Sequence, residues 1–131
     1  RSQPRPEAPN DFSACGAERA EQVRDLFVPS FFFGCEADDP TNASAYNRKT
    51  NPFGAALQTL FGSDIGHWDV PVMNEVLAEA YEMAENGSMS EADFRDYTFG
   101  NPVRFHAGMN PMFFKGTRVE ADVDRMLQAG D

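Results

Sequence analysis

Apolar positions along the chain fall into short dense runs and helical stripes, separated by polar stretches. Ala20, Val23 and Phe27 recur at helical spacing, with Glu18, Glu21, Arg24 and Asp25 around them, and predict a helix over 17–27. Phe31-Phe32-Phe33, between Pro29 and Gly34, is continuous rather than alternating, as in a strand covered on both faces within a parallel sheet. Glu36 to Pro52 is polar and reads as a long irregular loop, a kind of segment that tends to be functional. Leu57 to Gly62 is a second buried strand. A helix follows with Asp69 as its cap and Pro71 in its first turn. Its apolar stripe is Val72, Val76, Leu77, Ala80, Tyr81 and Ala84, its solvated face Glu75, Glu79, Glu82 and Glu85, and Gly87 its stop. Ser90 caps another helix, with Phe94, Tyr97 and Phe99 facing a neighbour and Gly100 ending it. Asn101-Pro102 restarts a short helical turn through His106, and 118–128 form a last helix with Val119, Val123, Met126 and Leu127 inside. Residues 1–16 hold three of the nine prolines and read as a loop or frayed end.

This order, strand, loop, strand, helices, leaves a problem. Two buried parallel strands are not a sheet, because each needs neighbours on both sides and helices on its faces. Either further strands lie upstream, outside this chain, or a small two-stranded α/β domain dimerises through its edges.

Length and charge narrow the function classes. A chain of 131 residues suits one domain. With 21 acidic against 11 basic side chains and a net charge of -10, it lacks the basic face that nucleic acid or an anionic membrane surface requires. No apolar stretch reaches the ~18 residues of a membrane span. The start, Arg1-Ser2-Gln3-Pro4-Arg5-Pro6, has no signal-peptide core and no initiator Met, which suggests a processed chain or a fragment. Cys15 and Cys35 lack metal-ligand spacing and read as reduced thiols of a cytoplasmic protein.

In parallel α/β folds, ligands bind beyond the carboxyl ends of the strands. Both acidic clusters fall there. Cys35-Glu36-Ala37-Asp38-Asp39 follows the first strand, and Ser63-Asp64 with His67-Trp68-Asp69 follows the second. A carboxylate at such an end can hold a divalent metal or take a proton from metal-bound water. The same spacing also fits plain structural roles: Asp64 as a turn former, His67 as a hydrogen-bonding residue, Trp68 as a packing residue and Asp69 as a helix cap. Glu36 to Asp39 lacks the alternation and glycine of a known calcium loop.

Leu60-Phe61-Gly62-Ser63-Asp64-Ile65-Gly66-His67, the helix after it, and Phe99-Gly100-Asn101-Pro102-Val103-Arg104-Phe105-His106 resemble the closing section of amidohydrolase-related proteins. These are metal-dependent (β/α)8 barrels that include the aminocarboxymuconate-semialdehyde decarboxylase-like enzymes. Phe32 to Pro40 resembles the penultimate strand and loop of one branch, and the resemblance spans Phe27 to Thr117. It implies an α/β fold in which 17–131 is the C-terminal part of a TIM barrel, its last two parallel strands plus terminal helices, not a closed barrel. It further implies that Asp64 is a metal ligand or the proton acceptor, that Asn101 and Arg104 are structural, and that the metal is a divalent ion of the zinc kind. Glu36, His67 and Trp68 would contact a small-molecule substrate at the pocket mouth. The reaction implied is hydrolysis of an amide or ester, or non-oxidative decarboxylation. The family's early His-x-His has no counterpart here, so the chain alone is expected to bind zinc weakly and to be inactive. The competing expectation is a small acidic helical interaction domain without catalysis. In either case exposed edges favour aggregation or homo-oligomerisation.

Overall fold

The computed structural model describes residues 14–130. Helix α1 (Glu21–Phe27) leads into strand β1 (Phe32–Glu36), and β2 (Gln58–Gly62) follows. Helices α2 (Val76–Glu85), α3 (Glu91–Arg95), α4 (Asn101–Met109) and α5 (Glu120–Ala129) complete the chain. The two strands pair in parallel, Phe32 opposite Gln58 through Glu36 opposite Gly62. Among the described residues they form an open two-stranded sheet in a mixed helix and strand fold, not a closed barrel. The expected loop at 1–16 lies mostly outside the described residues.

Several expected boundaries move, for identifiable reasons. The helix predicted from 17 begins at Glu21, because the Gln22 side-chain oxygen accepts the N–H groups of Glu18 and Arg19 and folds them into a separate turn. The long polar segment is not irregular throughout. Asp39 accepts the Thr41 N–H and caps a 3₁₀ turn over Pro40–Tyr46, and a second 3₁₀ turn spans Pro52–Gly54. Helix α2 starts at Val76 rather than near Asp69, so Asp69 is not its cap. Val70 precedes Pro71, which disfavours helical backbone there. Val72 and Leu77, expected inside, are exposed, and the buried face is Val76, Ala80 and Met83. Val119 and Leu127 of α5 are likewise exposed, leaving Val123 and Met126 inside.

Gly100 does not end a helix. After α3, capped by Ser90 as expected, the backbone widens into a π turn over Asp96–Gly100 and runs straight into α4. Pro102 has no N–H to give Thr98, and its ring would crowd that carbonyl. The wide turn relieves this, with the Asn101 N–H reaching back five residues to the Asp96 carbonyl.

The π turn and α4 grip the sheet through buried polar groups. The Tyr97 hydroxyl donates to the Glu36 carbonyl at the end of β1 (2.9 Å), and the Asn42 amide donates to the same carbonyl and to the Tyr97 oxygen. Asn101, on the next turn, donates to the Thr59 carbonyl of β2 (3.0 Å) and to the Tyr46 hydroxyl, which bonds the Thr59 side chain. Arg104 donates to the Asn101 oxygen and also to Asp96. No buried side-chain polar atom among the described residues lacks a partner. Around this network Tyr46, Met83, Met89 and Tyr97 form one core cluster, and Val103, Ala107, Val123 and Met126 another.

Removing these partners has a calculable cost. Asn101→Ala takes a donor from the Thr59 carbonyl and from the Tyr46 hydroxyl, which keeps its bond to the Thr59 side chain, and is expected to lose about 1–3 kcal/mol in urea unfolding, whereas Leu77→Ser on the exposed face changes stability by less than about 0.5 kcal/mol. Equal effects would contradict the role given to Asn101.

Burial pushes the Tyr46 hydroxyl up to about 12 and raises Tyr97 as well, while the Glu91 carboxylate raises Tyr81. A raised folded-state value means that these groups stabilise the protein fully below the unfolded value of about 10, and that the stabilisation is lost as pH climbs towards 12. Tyr46 and Tyr97, two of the three tyrosines, are therefore expected to stay protonated at pH 10 and to ionise together with unfolding, so at most one tyrosine's worth of tyrosinate absorbance appears before the fold is lost. A titration of more than one tyrosine centred on the ordinary value, with the fold intact, would contradict this.

Candidate functional site

Because the strands are parallel, both carboxyl ends open on the same side, with Glu36 and Gly62 as register partners. A cavity of 360 Å³ lies there. Glu36 and Asp38 line it from the β1 end, Asp64 and Asp69 from the segment after β2, and Glu79 from α2. No lysine or arginine lines it.

The local backbone explains how Asp64 arrives. A Cβ at position 62 would sit 2.9 Å from the Cys35 carbonyl oxygen, so glycine is required where the strands close up. Asp64 then adopts a left-handed backbone, φ 52°, which Asp tolerates better than most residues. The His67 N–H returns to the Asp64 carbonyl (3.2 Å), closing a turn in which Gly66 has φ 107°. That turn sets the His67 ring against the Asp64 side chain, Nδ1 to Oδ2 at 2.9 Å. The Asp64 side chain is half-buried; that of His67 is mostly exposed.

Ligand atoms of Asp64, His67 and Asp69 all lie within 4.8 Å of one another. One imidazole and two carboxylates form a donor set that suits zinc and similar divalent ions. Asp69, expected as a cap, is instead one of this group. The signal that betrays it is Val70-Pro71, which keeps the chain from turning helical at once.

The remaining expected site residues divide. Glu36 lines the cavity, as the strand-end position suggests, and its carbonyl also anchors the fold. Trp68 does not pack, being 93% exposed on the turn beside His67. Asp39 lines a different concavity and is engaged as the cap of its 3₁₀ turn, with Thr41 holding its carboxyl below the ordinary range. This removes one carboxylate from the calcium-loop alternative. Glu79, read as part of a solvated face, reaches the cavity, whereas nothing in a one-sided glutamate pattern separates it from Glu75, Glu82 or Glu85. Cys35 is a free thiol raised by burial and by the nearby Asp39 charge, and Cys15 is free as well.

Comparison with protein-family models, curated proteins and solved structures gives no match to this chain. Among the described residues no helix is long and apolar enough to cross a membrane.

A three-donor group whose imidazole is exposed should hold zinc weakly. Calorimetry of the 131-residue chain is expected to show a dissociation constant weaker than micromolar, and no binding in Asp64→Asn. Tight stoichiometric zinc in the submicromolar range would contradict this arrangement of donors.

Proposed function

We propose that this chain is the closing section of a metal-dependent enzyme of the amidohydrolase-related type, with Asp64 as its strand-end carboxylate. The substrate is a small molecule, and the chemistry is hydrolysis of an amide or ester bond or non-oxidative decarboxylation. The observation that carries the reading is the placement of Asp64. It stands half-buried at the carboxyl end of a parallel strand pair, on a cavity it shares with Glu36 and Asp38 and with its carboxylate against an imidazole. Ligand sites of parallel α/β proteins occupy this position. The sheet, open on both sides among the described residues, supports further parallel strands completing it.

The residues present fit a divalent ion. Asp64, His67 and Asp69 supply nitrogen and oxygen donors of the right kind, and the ion when bound supplies an acidified water and polarises a carbonyl oxygen. The work of this chain's own residues follows from their contacts. The Asp64 carboxylate accepts a proton at the strand end, and His67, bonded through Nδ1, fixes its orientation. Glu36 and exposed Trp68 stand at the rim, where they would meet substrate. Further imidazole ligands would come from the upstream strands that the resemblance implies.

The reading frame upstream of the Arg1 codon tests this. It is expected to continue as strand-helix units with an early His-x-His, and a start codon immediately before Arg1 would contradict the reading. In the enzyme encoded by that frame, Asp64→Asn is expected to lower kcat/KM by about 10² or more with the melting temperature nearly unchanged. Retention of most of the activity would remove Asp64 from the mechanism.

A further inference from the structure

We infer that Asn86 is a site of spontaneous deamidation in the folded chain, through a cyclic imide closed by the Gly87 backbone nitrogen. Asn86 and Gly87 form the exposed turn that ends α2. Among the asparagines, Asn86 alone is followed by glycine. Glycine has no side chain to hinder the approach of its nitrogen to the amide carbon before it, and it reaches backbone angles closed to other residues. Gly87 already has φ 77°, and a Cβ there would meet no atom within 4 Å, so the turn has open space around it.

The bonding of the turn favours the reaction. The Ser88 N–H donates to the Asn86 side-chain oxygen at 2.9 Å. It polarises that carbonyl and stabilises the negative charge that gathers on the oxygen as a nitrogen adds to the carbon. The Gly87 N–H is bonded to the Ala84 carbonyl at 3.1 Å, a bond of the last turn of α2, where helix ends fray and free the nitrogen. Once a base removes its proton, the Gly87 nitrogen attacks Asn86 Cγ. A C–N bond forms to close the ring, the bond from Cγ to the side-chain nitrogen breaks, and that nitrogen leaves as ammonia. Water then opens the ring at either carbonyl. One opening gives aspartate and the other isoaspartate, whose backbone runs through the former side chain. Nothing is oxidised or reduced, and water is the only co-reactant.

The other asparagines lack this combination. Asn51, Asn101 and Asn110 precede proline, whose nitrogen carries no hydrogen to lose. Asn42 is buried, with its amide nitrogen tied to the Glu36 carbonyl and the Tyr97 hydroxyl. Asn10, Asn47 and Asn74 precede Asp11, Arg48 and Glu75, whose side chains crowd the approach. Both products weaken the end of α2. Each adds a negative charge where the helix dipole is already negative, next to Glu85 and one turn from Glu82. Isoaspartate also lengthens a turn that the Met89 N–H and the Ser88 hydroxyl pin to the Met83 carbonyl. The inference does not rest on the metal reading, because Asn86 does not line the strand-end cavity.

Peptide mass mapping of the 131-residue chain, aged in mildly alkaline buffer, tests the inference. The Asn86 peptide is expected to lose ammonia and gain water at least tenfold faster than any other asparagine peptide, and to carry isoaspartate as well as aspartate. Asn86→Gln should abolish the change, and Gly87→Ala should slow it at least tenfold, with circular dichroism checking that both fold. Asn86→Asp, which carries the charge of the product, should lower Tm by about 2–5 °C, while Asn86→Gln leaves it nearly unchanged. No change at Asn86, an equal rate at another asparagine, or aspartate without isoaspartate, the mark of direct hydrolysis, would overturn the inference. An unchanged Tm in Asn86→Asp would overturn the effect on α2.

Discussion

Two hydrogen-bonded side chains, one helical turn apart, decide whether this fold has a site. Tyr97 bonds the last carbonyl of β1 and Asn101 a carbonyl of β2. Both lie in the segment that a proline four positions downstream of Thr98 forces into a wide turn. A two-stranded parallel sheet has little hydrogen bonding of its own to hold its register. These contacts supply what is missing by tying both strands to one helical body. Tyr97, Thr59 and Asn101 are buried, so each unsatisfied group would cost more than a partnered one contributes.

The site is a consequence of that clamp. With β1 and β2 locked in register, Glu36 and Gly62 end level, and the close approach at Gly62 directs the chain into the left-handed Asp64. The turn through Gly66 then places His67 against the carboxylate. Several negative groups therefore share one cavity without a basic side chain in its lining. Such a lining would favour a cation over an anion. This lining, with Asp64, His67 and Asp69 grouped beside it, is what supports the proposal of a divalent-cation site at the strand ends. The glutamates of α2 are exposed, and one of them, Glu79, also lines the cavity.

Both strands were legible in the sequence from the apolar Phe31-Phe32-Phe33 and Leu60-Phe61, but the burial on both faces expected of them is not met: no residue of β1 and only Thr59 of β2 is buried among the described residues. The place of Asp64 just beyond β2 was legible as well, as the first acid after that strand. What stayed hidden depended on backbone effects between residues that do not show in periodicity. Asp69 followed by a proline two residues later looks like a helix start, yet Pro71 disfavours helical backbone at Val70, and Asp69 lies beside His67 instead. Gly100 looked like a stop, while the effect of Pro102 was to widen the helix rather than break it. Trp68 was weighed both as a packing residue and as a substrate contact, and it stands exposed on the turn beside His67 rather than packed.

The most direct measurement is an NMR titration of the chain with manganese, following which backbone amides broaden first. Selective early broadening at Asp38, Ser63, Asp64 and His67 is the result predicted for a cation held between the strand ends. Broadening spread over Glu82, Glu85, Asp122 and Asp124 as strongly as over these residues would show that the carboxylates act only as a diffuse negative surface, and would contradict the account.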